Sequence, residues 1–72
     1  MTVADLKKGE SATIKSLKED ELAERIMELG CLPGDIITVK RIAPLGDPIV
    51  VEVSGYELGL RIAEAKVIQI TE

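Results

Sequence analysis

Histidine, phenylalanine and tryptophan are absent from this chain, and Tyr56 and Cys31 are the single tyrosine and cysteine. Each absence removes a class of function. Without histidine there is no Ser-His-Asp or Cys-His catalytic unit. One cysteine without histidine makes neither an intrachain disulfide nor a zinc site of the Cys/His type. No apolar run approaches the about 20 residues that a bilayer-crossing helix needs. The opening segment, Met1 to Gly9, also lacks the apolar stretch of a secretory signal. A cytoplasmic, reduced protein is therefore expected. Nine Lys and Arg against thirteen Asp and Glu leave a net charge of −4, which repels phosphate backbones unless the cations cluster. Lys7, Lys8, Lys15, Lys18, Lys40 and Arg41 are instead spread over several segments without aromatic platforms beside them. Neither nucleic-acid binding nor direct membrane insertion is expected.

What the chain does have is aliphatic mass. Isoleucine, leucine and valine make up 23 of its 72 residues, too many for a disordered tail and enough for one small core. A single domain spanning residues 1–72 is expected, with no repeat, linker or low-complexity tract.

Asp20 to Leu29 reads as an amphipathic helix, with Leu22, Ile26 and Leu29 recurring at i, i+4 and i+7 beside Ala23. Asp20 suits the N-cap, Glu21 and Glu24 the positive dipole end, and Gly30 the left-handed residue that stops the helix. Pro33 and Gly34 fit the two central positions of a type II turn. Beyond Gly34 the period changes to two. Asp35 to Ile42 reads as a strand with Ile37 and Val39 on one face. Ile49, Val51 and Val53 form the buried face of the next, and Tyr56, Leu58, Leu60 and Ile62 that of a fourth. Ser54-Gly55 between them leaves room only for a tight hairpin turn or a sharp bend. A last strand near Val67 to Thr71 turns Ile68 and Ile70 inward. Before the helix, Ser11 to Leu17 offers Ala12 and Ile14 to the interior, with Leu6 as a plug. Five short strands and one helix cannot cover both faces of an open sheet at this length. A mainly β fold follows, a small α+β barrel with the helix between the first and second strands.

Three blocks carry a resemblance to a known family: Arg25-Ile-Met-Glu-Leu-Gly-Cys-Leu-Pro-Gly34, Ala43-Pro-Leu-Gly-Asp-Pro48, and Gly55-Tyr-Glu-Leu-Gly-Leu-Arg-Ile-Ala-Glu-Ala65. In this order, over Leu6 to Ile70, the chain resembles the ferrous iron transport protein A (FeoA) family. The resemblance implies an SH3-like five-stranded barrel acting as a non-enzymatic accessory on the cytosolic side of the membrane ferrous iron permease, FeoB. The same domain resembles the C-terminal barrel of iron- and manganese-dependent repressors, which implies an alternative as a domain that binds and responds to transition-metal ions directly. Cys31 departs from the family, which more often has an aliphatic residue there.

The candidate partner-binding residues lie within these blocks. Pro44-Leu45-Gly46-Asp47-Pro48 reads as a stiff loop between strands, because two prolines restrict φ on either side of Gly46. Leu45 at its tip is a candidate anchor for a partner pocket, or else a lid over the barrel end. Arg25 and Arg61 are the arginines of the matching blocks. Each is expected either to pair with a nearby carboxylate, Glu28 and Glu64 respectively, or to face a partner. No dedicated cofactor is expected. The Glu19-Asp20-Glu21 run could attract ferrous iron or another divalent ion weakly, but adjacent acids point in different directions and more often form a solvated helix start. Cys31 is expected to be a small buried hydrophobe, the alternative being a reactive thiol. The chain is expected to be a monomer or a weak homodimer, with Val50 and Val67 as outward candidates for contact.

Overall fold

The computed structural model describes residues 1–18 and 20–71. Strands β1 (Ser11–Leu17), β2 (Ile36–Ile42), β3 (Ile49–Val53), β4 (Tyr56–Leu60) and β5 (Ile68–Thr71) form one antiparallel sheet in the order β4-β3-β2-β1-β5. Helix α1 (Glu21–Glu28) joins β1 to β2, and a four-residue helix, α2 (Ile62–Ala65), joins β4 to β5. The expected mainly β architecture, with the helix between the first and second strands, is the one observed.

Local chemistry explains the breaks. The Asp20 carboxylate accepts the Ala23 N–H at 2.9 Å to start α1, and Gly30 (φ 104°) follows its end. Asp35 N–H donates to Leu32 C=O at 3.0 Å across Pro33 and Gly34, and Gly34 has φ 96°, as a type II turn requires. Ser54 and Gly55 both have positive φ, and Val53 pairs with Tyr56, so β3 and β4 are joined by a two-residue hairpin of the primed kind.

Two register shifts curl the sheet. One falls between Ile14 and Ser16 of β1, the other between Val39 and Arg41 of β2, and the extra residues are Lys15 and Lys40. An extra residue bends its strand and increases the twist, so the sheet wraps one interior rather than lying flat. That interior holds Ile14, Ile37, Val39, Val51, Val53, Leu60, Ile68 and Ile70 from all five strands, with Val3, Ile26 and Cys31 packed in from outside the sheet.

The structure corrects the expected placement of five residues. Ile62 does not continue the fourth strand: β4 stops at Leu60 and Ile62 opens α2, because the Arg61 N–H turns back to the Glu64 carboxylate at 2.8 Å. Val67 is buried rather than outward. It lies in the turn after α2, where its N–H reaches Glu64 C=O, and its side chain joins the core. Val50 is half-buried. Leu29 is exposed, because it ends α1 as the C-cap and only Ala23 and Ile26 of the helix are fully covered. Tyr56 is exposed beside the hairpin turn, leaving Leu60 to bury the end of β4.

Candidate functional site

The two edges of the sheet end differently. Along β5, Thr2 bridges Gln69, and the Ile70 N–H donates to Met1 C=O at 3.0 Å, so the N-terminal segment covers that edge. At the other edge, among the described residues, β4 pairs only with β3. Their ladder runs Val53↔Tyr56, Glu52↔Glu57, Val51↔Leu58, Val50↔Gly59 and Ile49↔Leu60. Paired residues of an antiparallel ladder alternate between facing peptide groups and peptide groups turned away. The pair closing the hairpin faces inward, so Glu57 and Gly59 turn their N–H and C=O groups away from β3, and no backbone partner meets them among the described residues.

Beside this edge runs a groove of about 580 Å³. It gathers four of the sequence-flagged residues, which lie far apart in the chain: Arg25 from α1, Asp47 and Pro48 from the loop after β2, and Arg61 after β4. Sequence reasoning missed its apolar part, Leu29 and Leu58. The only signal was the i, i+4 spacing of Arg25 and Leu29, which puts both on one face of α1.

The charges of the groove are unevenly committed. Asp47 Oδ1 accepts the Ile62 N–H at 3.1 Å, Glu64 Oε1 accepts the Arg61 N–H at 2.8 Å, and Glu57 Oε1 pairs with the Arg41 guanidinium at 2.8 Å. The guanidinium groups of Arg25 and Arg61 hold nothing comparable among the described residues. The expected pairs Arg25–Glu28 and Arg61–Glu64 do not form, since Arg41–Glu57 is the one ion pair among the described residues and Glu64 is occupied by the Arg61 backbone. With Arg41 counted, the three carboxylates and three guanidiniums of the groove balance in charge, and Arg25 and Arg61 are the two guanidiniums with no side-chain partner among the described residues, so they can take a carboxylate geometrically.

The remaining loop residues sit at its rim. Gly46 (φ 87°) donates its N–H to Ala43 C=O at 2.7 Å, and Ala43 donates to Pro48 C=O at 3.1 Å, so the loop closes on itself between β2 and β3. Pro44 is exposed, and Leu45 is 96% exposed, so it does not fold back as a lid.

A larger groove of about 750 Å³ lies on the far side of α1, with Leu17, Ala23, Met27 and Pro33 bordered by Asp20, Glu21 and Glu24. Size alone does not make it the better candidate. It includes none of the flagged loop or arginine residues, and Asp20 is committed to the helix cap. Of the acidic run, Glu19 lies outside the described residues. Among the described residues, no three His, Cys, Asp or Glu side chains converge as a metal-binding group. Cys31 is fully buried, and burial, reinforced by the nearby Asp35 carboxylate, pushes its thiol pKa up. No helix among the described residues is long and apolar enough to cross a membrane.

Comparison with known proteins places the chain. A curated relative from Porphyromonas gingivalis, an Fe(2+) transport protein A/Fe(2+) transporter FeoB fusion protein, is 32% identical over 71 residues. The match covers 97% of this chain but 8% of that protein. The crystal structure of Stenotrophomonas maltophilia FeoA complexed with zinc, an SH3 domain protein, superposes with a TM-score of 0.88 at 32% identity, covering 99% of this chain and 89% of that one. A manganese-dependent transcriptional repressor shares the fold at a TM-score of 0.87 and 13% identity, covering 97% of this chain and 35% of that one. The fold is thus the SH3-like barrel. The family model for the FeoA domain matches residues 1–72, and the chain belongs to that family.

Proposed function

We propose that this domain is a non-enzymatic accessory of ferrous iron uptake, which binds the cytosolic side of a ferrous iron permease of the FeoB kind and supports or regulates it. The observation that carries this reading is the covalent union of a related domain with an Fe(2+) transporter in the Porphyromonas gingivalis protein, because fusion keeps two partners at high effective concentration. The surface suits a partner role. An exposed leucine on a closed loop loses little entropy on docking, and the groove beside it offers two uncommitted guanidiniums. Histidine-based acid–base and nucleophilic chemistry is excluded by composition. In this reading the domain acts by docking that favours one state of the transporter, which requires tighter binding to that state than to the other.

The test is binding of the purified chain to the detergent-solubilised permease from the same source, under anaerobic conditions, with and without ferrous iron. Saturable binding is expected, weakened by Leu45→Asp without loss of the folded spectrum. Absence of binding in every iron and nucleotide state would refute the reading. A second reading, direct transition-metal binding, is favoured by one observation, the zinc in the Stenotrophomonas maltophilia relative. Anaerobic titration separates the two: a dissociation constant in the low micromolar range or below for ferrous iron would support the metal-responsive role.

A further inference from the structure

The geometry points to the open edge of β4 as a strand-addition site for an extended, carboxylate-bearing segment of the partner. This inference rests on the partner-binding reading above and names the chemistry of the segment that the groove takes. Three observations carry it.

The first is the asymmetry of the sheet edges. The β5 edge is covered by Met1 and Thr2, whereas β4 presents the N–H and C=O groups of Glu57 and Gly59 with no backbone partner among the described residues. An uncovered edge pairs readily with another extended chain, and main-chain hydrogen bonds then supply the affinity. Glu57 and Gly59 together offer two donors and two acceptors at the spacing of an incoming strand.

The second is room. A Cβ built at Gly59 meets nothing within 4 Å, so the sheet face beside this stretch of the edge is open and the side chains of an added strand meet no obstruction from Gly59. Leu29 and Leu58 border the same groove and give an alternating strand apolar surface on which to seat one side of its side chains.

The third is charge. Glu57 is ion-paired with Arg41, Asp47 and Glu64 each orient toward a backbone N–H while keeping their charge, and the guanidiniums of Arg25 and Arg61 hold no carboxylate among the described residues. A basic segment would leave those two arginines without a counter-charge. An acidic one completes them, and guanidinium with carboxylate is the strong, bidentate form of the pair. The occupant is therefore an acidic extended segment of the permease rather than a basic one.

The experiment reads amide hydrogen exchange and affinity together, on the full chain and the detergent-solubilised permease. In the complex the Glu57 and Gly59 amides should exchange at least about tenfold more slowly than in the free chain. Gly59→Pro removes an outward donor that makes no intrachain bond, and it should weaken binding at least about tenfold with an unchanged thermal melt. Arg25→Glu and Arg61→Glu alter exposed side chains and should weaken binding by a similar factor. If the permease binds while the two amides exchange as in the free chain and the three variants bind normally, strand addition is overturned and the accessory role stands. If the permease does not bind at all, both fall. Concentration-dependent protection of the same amides in the chain alone would assign the edge to a second copy of this chain and overturn the proposal.

Discussion

At Cys31 the thiol lies wholly inside the barrel, packed in the same core as Ile26 and Ile37. Burial favours the neutral form, and Asp35 adds to it, so the folded pKa stands above that of the unfolded chain. The sign of the linkage follows. Below the unfolded thiol pKa of about 8.5 both states hold the proton and stability is insensitive to this group. Above it the unfolded state loses its proton first, so stability falls as pH rises toward the folded pKa. Urea unfolding midpoints measured across pH 8–10 should therefore fall for the wild type more than for Cys31→Ala. The thiolate is the reactive species, so a thiol reagent at pH 8 should modify the denatured chain at least about tenfold faster than the native one. Rapid labelling of the native chain would show that the thiol is exposed by local opening.

Among the elements, α2 is too short to persist by itself, since a single turn is well below the about 12 residues at which isolated helices become even marginal. Its first N–H groups are satisfied by Asp47, fifteen positions earlier, and by Glu64. Asp47→Ala should thus destabilise the fold by about 0.5–2 kcal/mol, the usual cost of a lost cap, and speed amide exchange at Ala65 and Lys66. Asp47→Asn, which keeps an acceptor, should restore most of the loss. The hairpin between β3 and β4 makes the opposite case. Ser54 adopts φ 52°, a conformation that asparagine tolerates better and that turns of this kind prefer as Asn-Gly. Ser54→Asn should raise stability by about 0.5 kcal/mol, readable as a higher thermal midpoint.

The molecule as a whole depends on one interior. Its radius of gyration of 10.6 Å matches the about 11 Å expected of a compact domain of this length, and a domain of this size carries roughly 4–11 kcal/mol of stability. Ile26 is the fully buried isoleucine through which α1 is held to the barrel. Ile26→Ala should cost about 2–5 kcal/mol, a large fraction of that total. Chemical denaturation should show a correspondingly lower midpoint. An unchanged midpoint would mean that α1 adds little to the stability of the barrel.

Much of the architecture was legible because it is local. Period-two alternation exposes Ile49, Val51 and Val53 as a buried strand face, Asp20 and Gly30 bracket the helix, and Pro33-Gly34 and Ser54-Gly55 mark their turns through φ alone. Alternation misled at Ile62, since Leu58, Leu60 and Ile62 keep the period after the strand has ended. The better signal was Glu64 three residues beyond Arg61, within an alanine-rich stretch. Arg25, Asp47, Pro48 and Arg61 could be flagged singly but not as neighbours, because nothing local encodes contacts across 36 positions. Nor could the local sequence reveal that Arg25 and Arg61 would find no carboxylate among the described residues, since it was the Arg61 backbone, not its side chain, that took the Glu64 carboxylate. The open edge of β4 is likewise a property of the closed fold. Any strand has two edges in the sequence, and only the pairing of β5 with β1 and with the N-terminal segment decides which strand is left with one uncovered.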